Sequence, residues 1–116
     1  MITIYHNPRC SKSRLALEQI KKYTTEFTVV EYLTNPFTEQ SLELLLKKLG
    51  LKPQEIVRVN EVDFKEKFAG KICTNEEWIK ILIENPKLIQ RPIVENNSRA
   101  CIAREIDSLN QILGNK

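Results

Sequence analysis

The apolar positions of this chain change period as it proceeds, and each change marks an element. Ile2-Thr3-Ile4-Tyr5 is short, β-branched and aromatic, and runs into His6-Asn7-Pro8-Arg9, where Asn-Pro marks a turn, so a strand ends near His6. From Ser11 to about Lys22, Leu15, Ala16, Leu17 and Ile20 form an apolar stripe while Lys12, Arg14, Glu18, Lys21 and Lys22 fill the other face, which predicts a helix. Phe27-Thr28-Val29-Val30-Glu31-Tyr32 reads as a second strand. A strand, crossover helix and strand of this length favour parallel, right-handed pairing, a βαβ unit.

The middle of the chain reads as helical. Thr38 caps a helix in which Leu42, Leu45, Leu46 and Leu49 fall at i, i+3, i+4, i+7, with Gly50 as its stop, and such a leucine stripe is read as core. Pro53 to Lys67 predicts short helical pieces and loops. Thr74-Asn75-Glu76-Glu77 has the capping-box pattern ahead of Trp78, Ile79, Leu82 and Ile83, and Pro86 ends that helix. In the last quarter Ile93-Val94 and Ala100-Cys101-Ile102 flank Asn96-Asn97, residues that tolerate left-handed backbone, which predicts an antiparallel hairpin. A final helix would turn Ile106, Leu109, Ile112 and Leu113 inward. The order βαβ, helices, ββα is that of an α/β thioredoxin-like mixed sheet with a helical insertion, here expected as a single domain over residues 1–116 with the insertion at about 36–88.

Composition narrows the function. A chain of 116 residues is too short to divide into two halves that each bury a sufficient core. The net charge of +3 arises from interspersed lysines and glutamates rather than a basic face, so no direct nucleic-acid contact is expected. No apolar run approaches a membrane span, and the first residues lack the basic start and cleavage site of a signal peptide, so the expectation is a cytoplasmic protein with no membrane partner. Three widely spaced cysteines make no disulfide framework, and with one histidine they lack metal-site spacing. Walker and dinucleotide glycine patterns are missing as well.

The candidate chemistry lies at Cys10, between the first strand and the first helix, where the amides of Ser11, Lys12 and Ser13 would point at its sulfur and at a bound anion. A helix N-terminus together with the cations Arg9, Lys12 and Arg14 lowers a thiol pKa from about 8.5 toward roughly 3.5–7.5. His6, four residues upstream, could hydrogen-bond the sulfur and hold or accept its proton. The competing reading makes Cys10 a small buried hydrophobe and His6 a satisfied turn residue; the cationic strand-to-helix turn favours the reactive one.

The run His6-Asn7-Pro8-Arg9-Cys10-Ser11-Lys12-Ser13-Arg14 resembles the active-site loop of the glutaredoxin-dependent arsenate reductase family, and Gln90-Arg91-Pro92-Ile93-Val94 resembles its second signature. The resemblance spans almost the whole chain. It implies that a single cysteine thiolate takes arsenate, that glutathione attacks the adduct as co-substrate, and that glutaredoxin helps reduce it so that arsenite leaves, with no tightly bound cofactor. Carried over by position, the nucleophile is Cys10, the residue tuning it is His6, and the oxyanion-binding arginines are Arg58, Arg91 and Arg104, with Ser11, Lys12, Ser13 and Arg14 completing the site. Pro92 resembles the cis-proline of thioredoxin folds; the alternative is a trans proline opening a strand.

Arginine suits this role because its planar fork of donors matches two oxygens of arsenate, phosphate or sulfate. Arg9 and Arg99 read instead as surface residues in ordinary ion pairs. Glutaredoxins and the Spx-type regulators usually carry Cys-x-x-Cys, but Ser13 stands where the second cysteine would be. The phosphatase-like arsenate reductases use Cys-x5-Arg, and Ala16 occupies that arginine position. Cys73 and Cys101 are expected to be structural or incidental. Two other functions stay open: an Spx-like regulator that binds RNA polymerase, and a monothiol oxidoreductase acting on glutathione mixed disulfides.

Overall fold

The computed structural model describes residues 1–114. In chain order these form β1 (Ile2–Tyr5), α1 (Ser11–Tyr23), β2 (Phe27–Val30), α2 (Glu39–Leu49), α3 (Val62–Lys67), α4 (Asn75–Glu84), β3 (Ile93–Asn96), β4 (Arg99–Ile102) and α5 (Ile106–Leu113), with short 3-10 turns at Pro53–Ile56 and Pro86–Leu88. The chain makes two compact units, one from residues 1–35 joined by the chain from Arg91 onward, the other from Pro36 to Gln90.

The first unit is built on a sheet of order β2-β1-β3-β4. β1 pairs parallel with β2 and antiparallel with β3, and β4 folds back antiparallel on β3. Because strand side chains alternate, Ile2 and Ile4 share one face, where α1 and α5 cover them. Ile2, Ile4, Ala16, Ile20, Val94 and Leu109 are at the heart of that core, with Ile112 and Leu113 closing its end. Burying each large side chain of this kind contributes about 1.5–3 kcal/mol. The hairpin between β3 and β4 turns where predicted, Asn97 taking a left-handed φ of 59°. Its Oδ1 accepts from the N-terminal ammonium of Met1 at 2.9 Å.

The second unit is helical. α2 begins at a reciprocal cap, in which the Thr38 hydroxyl accepts from the Ser41 amide at 3.0 Å and the Ser41 hydroxyl from the Thr38 amide at 2.9 Å. It ends at Gly50, whose φ of 70° suits a residue without Cβ. α4 begins at the predicted capping box of Thr74 and Glu77. Leu42, Leu45, Leu46, Ile56, Trp78 and Leu82 are buried, and the Trp78 ring lies 6.3 Å from that of Phe64.

Four expectations are corrected. Leu15 is 55% exposed, because the stripe of α1 that turns inward is Ser13, Ala16, Leu17 and Ile20, at i, i+3, i+4 and i+7; its polar first member conceals the period. Ile106 opens α5 and is 51% exposed, while Leu109, Ile112 and Leu113 turn inward. The second strand stops at Val30, so Glu31 and Tyr32 lie beyond it. Leu49 is half-buried rather than core.

Candidate active site

The end of β1 and the start of α1 meet at a tight loop. The Cys10 amide donates to the Asn7 carbonyl at 3.0 Å, the Arg9 amide to Asn7 Oδ1 at 3.0 Å, and Arg14 Nη1 to the Pro8 carbonyl at 2.8 Å. Cys10 is the N-cap of α1, with extended backbone at φ −96° and ψ 122°. That conformation leaves the first-turn amides pointing out of the helix toward its sulfur.

Burial pushes the Cys10 thiol up, but the Ser13 amide, the charge of Arg91, the Lys12 amide and a hydrogen bond from the Arg91 side chain together hold it below its ordinary value. The Cys10 side chain makes no capping hydrogen bond of its own. Arg91 closes the group from the other side of the sequence. It immediately precedes Pro92, across a cis peptide bond, and its Nε is buried with no hydrogen-bond partner among the described residues.

His6 is 5% exposed and Ser13 fully buried. His6 Nδ1 lies 2.6 Å from Ser13 Oγ, which also accepts from the Asn7 amide at 3.0 Å. His6 therefore bonds Ser13 and not the sulfur, contrary to the contact expected from the sequence. The reason is that Nδ1 faces the buried third residue of α1, whose hydroxyl needs a partner. Burial lowers the His6 pKa, the charges of Arg14 and Lys21 lower it further, and Glu31 partly opposes them. The lowered pKa favours the neutral ring, which shares one hydrogen bond between its Nδ1 and the Ser13 hydroxyl.

A pH dependence follows. Since the folded pKa is depressed, neutral His6 contributes stability that is fully present above the ordinary value of 6.5 and is lost as pH falls through the folded pKa. The urea midpoint of the wild-type protein is expected to fall more between pH 7.5 and pH 5 than that of His6→Gln, which does not titrate. Parallel falls in the two proteins would remove His6 as the source.

The remaining sequence candidates divide. Lys12 and Ser13 reach the sulfur through their backbone, while Ser11 is exposed and takes no part in its pKa shift. Arg14 braces the loop through Pro8 instead of facing an anion. Arg104 is exposed and shares a cleft of about 90 Å³ with Lys12. Arg58 belongs to the second unit, where its Nη1 donates to the Lys87 carbonyl at 2.9 Å and its Nη2 pairs with Glu61 at 3.1 Å. Cys101 is half-buried, its thiol donating to the Ser108 carbonyl at 3.6 Å, and burial pushes its pKa up. All three cysteines are free thiols. What sequence reasoning missed is the contact of the Ser13 hydroxyl with His6; its signal is a small polar residue opening an otherwise apolar inward stripe.

Among the described residues no His, Cys, Asp or Glu group is arranged to hold a metal ion, and no helix is long and apolar enough to cross a membrane. A βαβ half and a ββα half sharing one sheet, with a lowered cysteine at the first strand-to-helix turn and a cis-proline before β3, define a thioredoxin-like thiol protein. Within that class the chain belongs to the ArsC family, whose profile matches residues 5–112. It is 41% identical over 115 residues to the uncharacterized Escherichia coli protein YfgD, covering 97% of each chain. It is 36% identical over 108 residues to an arsenate reductase of Escherichia coli, covering 90% of this chain and 77% of that one. The solved arsenate reductase of Vibrio cholerae superposes with a TM-score of 0.85 at 32% identity, covering 97% of this chain and 94% of its own.

Proposed function

We propose that this protein is an arsenate reductase whose Cys10 thiolate attacks arsenate, with glutathione and glutaredoxin as external reductants in the cytoplasm. The observation that carries the reading is the convergence of the Ser13 and Lys12 amides and the Arg91 guanidinium on one lowered thiol. The buried Nε of Arg91, which has no acceptor among the described residues, adds a donor suited to an oxyanion.

The thiolate forms an S–As bond and an arsenate oxygen leaves as water, giving a cysteinyl arsenate. Glutathione attacks this adduct, and the two thiols supply the two electrons that take As(V) to As(III). Overall, one dihydrogen arsenate, two thiols and one proton give arsenous acid, one disulfide and one water. The disulfide between Cys10 and glutathione is reduced by glutaredoxin. In this scheme Arg91 holds the oxyanion beside the sulfur, Arg104 contributes further charge, and His6 acts through Ser13. Ser13 occupies the place of a second loop cysteine, which is why the reductant is external.

The test combines purified protein with arsenate, glutathione, glutaredoxin and NADPH-coupled glutathione reductase. Arsenate-dependent NADPH oxidation supports the reading. Its absence, with the protein folded, would turn it toward a binding role like that of the Spx-type regulators, checked by retention of RNA polymerase on the immobilised protein.

A further inference from the structure

One wall of the loop that carries Cys10 is also the wall of a second cleft. Asn7, Pro8 and Arg9 face Glu31, Leu33 and Thr34 across a space of about 340 Å³. The turn is the same one in which the Asn7 carbonyl receives the Cys10 amide at 3.0 Å, so the cleft begins one residue before the reactive thiol. Two opposite charges line it. Neither the Arg9 guanidinium nor the Glu31 carboxylate forms an ion pair with another described residue. Glu31 is fixed at its backbone, where its carbonyl accepts the Thr34 and Asn35 amides at 3.1 and 2.9 Å. Arg9 is fixed likewise by its amide on Asn7 Oδ1. Pro8 and Leu33 supply the apolar surface between the charges.

We propose that this cleft seats the thiol co-substrate, a small zwitterionic peptide thiol, with a carboxylate on Arg9 and the ammonium on Glu31. The inference rests on the reductase reading and names the site from which its second thiol arrives. The volume lies within the usual range of small-ligand pockets, about 300–1,000 Å³. Three linked residues span at most about 10–11 Å, so a tripeptide held by its charged ends in the cleft has the reach to bring a central thiol to the neighbouring residue. A small neutral thiol has neither charge and gains nothing from Arg9 or Glu31. The cleft therefore discriminates between reductants, whereas the amides around Cys10 do not.

S-methylglutathione, which binds without reacting, is the direct probe. Calorimetric titration is expected to show binding to the wild-type protein that weakens about tenfold or more in Arg9→Ala and in Glu31→Gln, since each removes a hydrogen bond to a charged group. The KM for glutathione in arsenate reduction should rise in parallel, with a much smaller change in KM for 2-mercaptoethanol, and Arg9→Lys should recover part of the loss. Equal affinity of S-methylglutathione for the wild type and the Arg9→Ala/Glu31→Gln double variant, or equal rises in KM for both thiols, would overturn the proposal. A wild-type protein with no arsenate turnover would overturn the reductase reading instead, and the S-methylglutathione titration would still decide the cleft.

Discussion

Cys10→Ser is expected to abolish arsenate turnover, while Cys73→Ser and Cys101→Ser retain it. Serine keeps the size and the cap geometry but its hydroxyl stays protonated at any physiological pH, so the nucleophile is lost without disturbing the loop. The contrast with Cys101 has a structural basis. Cys101 is half-buried against the first unit's core and its pKa is pushed up by that burial, so it is a poor thiolate near neutrality. Turnover of the three single variants, measured beside iodoacetamide labelling by mass spectrometry, checks the assignment. Loss of activity in a folded Cys73→Ser or Cys101→Ser protein would replace the external thiols with an internal disulfide relay.

Arg91→Ala is expected to lower arsenate turnover about ten- to a hundredfold, the equivalent of removing a charged hydrogen bond worth about 1.5–3 kcal/mol. The residue acts on the sulfur by charge and by hydrogen bond, so the same substitution should move the pH midpoint of iodoacetamide alkylation upward, toward the ordinary value of about 8.5. Well above that midpoint, where every thiol is ionised, the variant should alkylate as the wild type does yet still turn over arsenate slowly, because the neutral reagent needs no oxyanion donor. Arg91→Lys should rescue poorly, keeping the charge but losing the fork. Arg99→Ala is the control, its guanidinium donating to the Gln111 carbonyl at 3.3 Å on the hairpin side of α5. If Arg91→Ala and Arg99→Ala had the same small effect, the anion site would lie elsewhere.

Much of the fold was legible because its boundaries are set by local chemistry. Thr38, Gly50 and Thr74 mark helix ends through caps and a left-handed residue, and Asn97 marks the hairpin through the same backbone freedom. Cys10 was legible for a related reason: strand, turn and helix follow one another without an intervening element, so its place at a helix N-terminus is a local fact. What escaped was decided by tertiary contact. Leu15 and Ile106 carry the right side chains for a core and stand at the wrong angle for it, since the buried face of α1 is set by what α5 and the sheet offer. His6 was placed at the sulfur by sequence distance, yet the helix turns Ser13 toward the ring and supplies a better partner. Arg14 reads as one more cation near an anion site, and only the loop's closure shows that it braces Pro8. Arg9 and Glu31 carry no sequence pattern at all, and their shared cleft exists because β2 runs parallel to β1 and ends beside the loop.

The pairing of β1 with β3 has a consequence for the time at which the thiol becomes reactive. Tyr5 pairs with Ile93 and Ile2 with Asn96, so the centre of the sheet joins the two ends of the chain and spans the whole segment from Pro36 to Gln90. Closing so long a loop costs entropy that local contacts do not, which makes this pairing a late event in folding. Arg91 reaches Cys10 only with that closure, whereas the amides of Lys12 and Ser13 arrive with α1. During synthesis, then, a chain whose C-terminal third is still in the ribosome carries Cys10 with the help of its helix amides but without the charge and hydrogen bond of Arg91, and the arginine's share of the thiol's acidity is the last to arrive.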